Sequence, residues 1–109
     1  MTQYTKQWFL EFVKNTPDDK WRRGMLEDSK GCKCMLGHLG VTDYTLAEQS
    51  PEVKDRVRAL AELFKRNIYD WVSLYSINDS VDHDYEKEGE PPSEKIKQHV
   101  IKQFEALED

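Results

Sequence analysis

Ser50-Pro51-Glu52 opens the stretch that most constrains this chain. Ser50 has the hydroxyl of an N-cap. Pro51 suits the first helical position, where its missing N–H would be unpaired anyway, and Glu52 lies where the helix dipole favours an anion. Val53, Val57, Leu60, Phe64, Ile68 and Trp71 then recur in steps of three and four, which puts them on one helical face. Lys54, Asp55, Arg58, Glu62, Lys65 and Arg66 make the other face, a solvated surface. A helix with so long an apolar stripe must bury it against other elements, so it is expected to be the spine of the fold. The pattern dissolves near residues 73–76.

The rest of the chain supplies elements to cover that spine. Tyr4, Trp8, Phe9, Phe12 and Val13 predict a first helix over about Thr2 to Asn15. Thr16-Pro17 stops it, because the residue before proline is driven out of the α region. Residues 21–33 show neither period; Gly24, Gly31 and the Asp28-Ser29-Lys30-Gly31 turn signal predict an irregular segment or a short hairpin. Residues 34–39 are expected to make one or two helical turns, closed by Gly40. Glycine inside a short helix costs about 1 kcal/mol relative to alanine. Gly37 therefore predicts close approach of another backbone or side chain, with 34–39 packed as a buried helix against the spine. Residues 79–92 read as an exposed acidic loop: Asp79, Asp82, Asp84, Glu86, Glu88 and Glu90 face a single Lys87. Ser93 then caps a last helix that buries Ile96, Val100, Ile101, Phe104 and Leu107. The expected fold is mainly α, a compact bundle of about four helices in one domain over residues 1–109.

Charge narrows the function classes. The formal net charge is −5 and the isoelectric point about 5.2. Nucleic-acid binding normally needs a concentrated positive field. The basic stretch Lys20, Arg22, Arg23, Lys30 and Lys33 is interleaved with Asp18, Asp19, Glu27 and Asp28, so nucleic acid is not an expected partner. No apolar run reaches the length of a membrane span, and the N-terminal residues lack the pattern of a signal peptide. A cytoplasmic protein is expected, with Cys32 and Cys34 as reduced thiols.

KGCKCMLGHLG, residues 30–40, is the one stretch that gathers chemistry-bearing side chains. Cys32, Cys34 and His38, with His83 from the acidic loop, make four potential zinc donors. Zinc sites, however, favour Cys-x2-Cys knuckles, and a Cys-x-Cys pair in extended backbone points its sulfurs to opposite faces. No metal or other cofactor is expected. A second possibility is nucleophilic catalysis. Cys34 at a helix start would feel unpaired N–H groups that favour its thiolate, and His38 would lie on the same face, with Asn78 or Asp79 as an orienting group. Against both stands packing: a reduced cysteine beside Met35, Leu36 and Leu39 is ordinarily a small core residue. Asn78 and Asp79 have two readings as well, a turn that ties off the end of the spine, or a polar cluster that binds a small ligand.

The pattern Trp21-x2-Gly24-x3-Asp28-x2-Gly31-x2-Cys34-x2-Gly37-x-Leu39, with the later Asn78-Asp79 and a capped C-terminal helix, resembles a family of small uncharacterised bacterial and phage proteins. This chain departs from that pattern at His38, where the family tends to have alanine, and at Ile77, where it tends to have tryptophan. It also carries the acidic insertion. The resemblance implies that Cys34, Gly37, Asn78 and Asp79 meet in space. The small size and single-domain form also look like those of phage accessory proteins, many of which bind and block host factors. With no strong catalytic motif, the expected function is a non-enzymatic cytosolic binding protein. In its narrower form this is a phage-encoded modulator or inhibitor of a host protein, such as a defence factor, acting through an acidic surface. The expected binding residues are Asn78, Asp79, Asp82, Asp84, Glu86, Glu88, Glu90 and His38. The alternatives are a small-ligand-binding protein with a pocket near Asn78 and Asp79, and a small enzyme using Cys34 and His38.

Overall fold

A computed structural model describes residues 3–43 and 45–107, the side chain of residue 85 excepted. In chain order the helices are α1 (Lys6–Asn15), α2 (Met35–His38), α3 (Pro51–Leu63), α4 (Trp71–Asp79), α5 (Tyr85–Glu88) and α6 (Ser93–Glu105), with a 3₁₀ turn at Leu46–Glu48. Among the described residues there is no strand, only an isolated parallel bridge between Trp21 and Lys33. Four of the helices, α1, α3, α4 and α6, are nine residues or longer, so the molecule is the mainly-α bundle expected. No helix among the described residues is long and apolar enough to cross a membrane.

The expected spine is two helices. Ser50 caps α3 as predicted, its Oγ accepting from the Val53 amide at 3.3 Å. The helix then stops at Leu63, because the chain leaves it by a left-handed residue. Lys65 has φ +55°, its amide returns to the Glu62 carbonyl, and the Arg66 amide bonds the Ala61 carbonyl at 2.8 Å. Those two bonds are a Schellman motif, which ordinarily places glycine where Lys65 stands. The apolar stripe runs on through Ile68 and Trp71 because both helices serve the same core, so periodicity alone could not reveal the turn between them. Asp70 caps α4 through the Ser73 amide, 3.1 Å away. Arg66 pins the turn by donating to the Ser73 carbonyl and to Ser76 Oγ. Residues 73–76, where the pattern dissolves in the sequence, are the middle of α4.

The core is built around α6, which packs on both α1 and α4, and α3 adds Val57 and Leu60 to it. Phe9 of α1 stacks on Phe104 of α6 with ring centroids 5.4 Å apart, and Phe64 meets the Phe104 ring edge-on at 5.1 Å. Such aromatic pairs add about 0.5–1.5 kcal/mol each beyond the area they bury. Val13, Val57, Leu60, Leu74, Ile77, Ile96 and Val100 complete the interior. α2 is buried as expected and packs mainly on α4, the second half of the expected spine, while its exit also meets α3, where Arg56 donates to the Leu39 carbonyl at 3.1 Å. The first helix ends at Asn15 before Pro17, with Thr16 extended at ψ 130°; the expected start at Thr2 lies outside the described residues.

Several local expectations need correction. Residues 21–33 form no hairpin. A hairpin is antiparallel, whereas the bonds from Arg22 N–H to the Lys33 carbonyl and from Lys33 N–H to the Lys20 carbonyl make a parallel bridge. The chain must therefore circle fully between them, and Asp28 builds the circle: its Oδ1 accepts from the Lys30 and Cys32 amides at 2.8 and 2.9 Å. The acidic segment is shorter than expected and not wholly loop. Asp79 ends α4, and α5 puts a helical turn inside residues 80–92. Ser93 does not cap α6, since Pro92 occupies that position. Its hydroxyl instead donates to the Asp18 carbonyl and accepts from the Trp21 amide, both at 2.6 Å.

Lys97 is the one buried cation among the fully described side chains, and nothing in the sequence announces it. Its Nζ reaches the carbonyls of Lys14 and Thr16, at 3.0 and 2.7 Å, and Asp18 Oδ1 at 2.6 Å. It thus closes the C-terminal end of α1, where carbonyls lack helical partners and a cation complements the dipole.

Candidate functional site

Asn78 and Asp79 sit at the last turn of α4, where it crosses α2. Asn78 is buried, and its amide group faces protein on three sides. Oδ1 accepts from the Met35 amide at 3.1 Å; Nδ2 donates to the Arg22 carbonyl at 2.9 Å and to Asp79 Oδ1 at 2.8 Å. Met35 is the first residue of α2, so Asn78 satisfies an orphan amide there that Cys34 at the cap position leaves unbonded. Asp79 Oδ2 accepts from the Gly24 amide at 3.1 Å. Three of the four hydrogen-bonding positions of the Asn78 side chain are therefore occupied within the chain. The pair clamps the irregular segment 21–24 and the start of α2 onto α4.

Cys34 and His38 flank the same short helix with different partners. Cys34 is buried. Burial pushes its thiol pKa up, and Asp79 adds to the rise; the Gly37 and Leu36 amides pull the other way and do not overcome it. The helix-start effect expected for Cys34 is thus present but smaller than desolvation. His38 turns away from the sulfur. Its Nε2–H donates to the Lys20 carbonyl at 2.8 Å, and its ring packs on Trp21 with centroids 4.5 Å apart. Burial, the largest influence, lowers the His38 pKa, helped by the Lys33 charge and opposed by the bond to Lys20. The His38 amide donates to the Cys34 carbonyl at 3.0 Å, but no hydrogen bond joins the His38 ring to the Cys34 sulfur among the described residues. The potential zinc donors do not converge either: Cys32 Sγ lies against the Asp19 carbonyl, and His83 packs with Lys95 and Glu88. Among the described residues no three His, Cys, Asp or Glu side chains are grouped to hold a metal ion.

The acidic residues are displayed by a strap, residues 80–92, that runs from α4 to α6. Its first half alternates: Val81 and His83 turn inward, Asp82 and Asp84 outward. This is the period of an extended chain, in which neighbouring side chains point to opposite faces, and that alternation was available in the sequence as a signal of orientation. The acids have unequal duties. Asp84 Oδ1 accepts from the Lys87 amide at the start of α5. Glu90 holds Arg23 with both carboxylate oxygens, at 3.0 and 3.1 Å. Glu88 lies 3.6 Å from His83. Asp82 and Glu86 are exposed and make no hydrogen bond or ion pair among the described residues. The fastenings of the strap, Arg23, Lys95 and His99, were not among the expected site residues.

A groove of about 490 Å³ lies beside this assembly, between residues 24–27 and the exit from α2. Its walls include Met25, Leu26, Val41, Glu27 and Lys33. None of Asn78, Asp79 and His38 lines it; Asp79 touches it only through the Gly24 amide that it holds. Comparison of the chain with protein-family models, with curated proteins and with solved structures gave no match.

Proposed function

We propose that this chain is a non-enzymatic, cytoplasmic binding protein whose acidic strap docks on a basic surface of a protein partner. The observation that carries the reading is the outward display of Asp82, Asp84, Glu86 and Glu88 on a strap fixed at both ends. A one-sign patch held in place steers encounter and sets register with an oppositely charged partner. The buried thiol of Cys34 and the separately engaged His38 weigh against the enzymatic alternative. The narrower form, a phage-encoded modulator of a host protein such as a defence factor, rests on the acidic run and the small single-domain form of the chain.

The test is affinity capture with the wild-type chain and with a variant combining Asp82→Asn, Asp84→Asn, Glu86→Gln and Glu88→Gln. Glu90 is left intact because it secures Arg23. A partner held by the wild type is expected to be lost from the variant, and to weaken for the wild type as salt shortens the Debye length to about 3 Å near 1 M. A set of captured proteins that the substitutions leave unchanged sinks the acidic-surface mechanism.

A small-ligand function is the second reading, favoured by the groove that the Asp79–Gly24 bond helps to shape. Its volume falls within the range of small-molecule pockets, about 300–1,000 Å³. A thermal-shift screen with nucleotides and metabolites separates the two readings, since a tight ligand at 100 times its Kd stabilises the fold by about 2.7 kcal/mol.

A further inference from the structure

The strap is fastened to α6 at two points by histidines in opposite settings. Near its start, Ser80 Oγ lies 3.0 Å from Nε2 of His99 on α6. A hydroxyl both donates and accepts, so this contact survives either state of the ring. Burial, and then the Lys102 charge, lower the His99 pKa, which favours the neutral form. The second point is His83. Its side chain is only 3% exposed, and Lys95 of α6 brings Nζ to 2.8 Å from Nδ1. An ammonium group offers only protons, so this contact requires a lone pair on Nδ1, a neutral ring with its proton on Nε2. Glu88 of α5 places a carboxylate oxygen 3.6 Å from that same Nδ1. Lys95 and Glu88 therefore make opposite demands on one atom. The neighbouring acids Asp82 and Asp84 point outward, and His99 follows Lys95 by one helical turn on α6.

We infer that His83 is a proton-operated latch on the acidic strap: neutral, it binds Lys95 and holds the strap to α6; protonated, it expels the Lys95 ammonium and pairs with Glu88 inside the strap. The proton comes from solvent and stays on Nδ1, while Lys95 keeps its three protons and moves into water. The ends of the strap do not switch, because Ser80–His99 tolerates both ring states and Glu90–Arg23 pairs a carboxylate with a guanidinium. The latch is closed while the ring is neutral and opens when Nδ1 takes up a proton. The consequence for binding rests on the strap being the docking face proposed above: its acidic residues would be freer to move in acid than at neutral pH. The latch itself needs no partner.

Amide hydrogen exchange over residues 80–90 tests it, at pH 7.5 and 5.5, corrected for intrinsic rates and referenced to α1. Protection of the strap is expected to fall at least about fivefold at the lower pH while α1 holds. His83→Gln, whose carbonyl oxygen accepts from Lys95 but cannot take up a proton, is expected to abolish the step. Unchanged wild-type protection, or the same step in His83→Gln, overturns the latch. Nitrogen-15 shifts of the His83 ring give a check on the wild type alone: at pH 7.5 Nδ1 must be the unprotonated nitrogen, and the opposite tautomer overturns the latch whatever the variant does. None of these measurements involves a partner, so failure of the latch and failure of the acidic docking face are separate outcomes.

Discussion

Cys34 shows two opposed influences meeting on one atom. Its place at the start of α2 supplies amides that favour a thiolate, and its burial disfavours one more strongly. The expected outcome is a thiol inert to alkylation in the folded protein at pH 8, modified only as fast as the chain unfolds. Half-exposed Cys32 serves as the internal control; rapid labelling of Cys34 in mass-mapped peptides contradicts the packing role. Gly37, three residues on, is fixed by sterics. A Cβ there would lie 1.9 Å from the Leu26 carbonyl oxygen and 2.9 Å from its carbon, so backbone must move to admit it. Alanine gains about 1 kcal/mol of helix propensity, yet overpacking against backbone costs about 1–3 kcal/mol or more. Gly37→Ala is therefore expected to lower stability by about 2 kcal/mol in urea unfolding; a gain would mean that residues 24–27 give way. The close approach was legible in the sequence, because a glycine inside a helix needs a reason. The polar ring of His38 was visible too, but its reason was not: the Lys20 carbonyl and the Trp21 ring that occupy it come from a segment without periodicity.

At the scale of elements, two helix ends share one geometry and differ in one residue. Gly40 closes α2 at φ +104°, with the Gly40 and Val41 amides returning to the Gly37 and Leu36 carbonyls. Lys65 closes α3 through the same pair of bonds at φ +55°. Glycine advertised the first end and lysine concealed the second, and so the spine reads as one helix in the sequence and is two in the molecule. Left-handed geometry costs an L-residue about 1–2 kcal/mol, while glycine loses more entropy on folding. Lys65→Gly is thus expected to stabilise by a net of about 0.5–1 kcal/mol, read as a rise in the urea midpoint without a change in slope. A lower midpoint would mean that the Lys65 side chain contributes more than its backbone strain costs. The other long elements were legible for ordinary reasons: Ser50 capping α3, Pro17 ending α1, apolar spacing in α6. What escaped is held by side chains from distant parts of the chain. Ser93 binds the backbone of residues 18 and 21, Asn78 binds residues 22 and 35, and Lys97 closes α1. A side chain whose partner is 43 to 83 residues away leaves no local pattern, so the parallel bridge of Trp21 and Lys33 could not be told from a hairpin. In the same way, the inward clamp made by Asn78 could not be told from a ligand site.

For the molecule as a whole, these clamps make α2 and the segment before it dependent on the protonation of one ring. His38 joins α2 to residues 20 and 21, and burial depresses its pKa below the ordinary value of 6.5. Unfolding exposes the ring and restores that value, so below pH 6.5 the unfolded chain takes up a proton that the folded chain resists. The contribution of His38 to stability is accordingly complete above about pH 6.5 and is lost as pH falls through the folded value. His99 acts in the same direction. Asp28 has the opposite chemistry and a lower window. The Cys32 amide is the largest influence holding its carboxyl below the usual 3.8, so its stabilisation is present above that value and disappears in stronger acid. Stability plotted against pH should therefore fall in two separate steps, the upper one belonging to histidines. His38→Gln keeps an N–H for the Lys20 carbonyl and cannot titrate, so urea midpoints from pH 8 to 5 should decline less steeply in the variant than in the wild type. Parallel curves would mean that His38 is as easily protonated folded as unfolded, and that the upper step belongs to His99 or to the release of the strap. Adding His83→Gln to the series separates those two, because only the strap's share disappears with it.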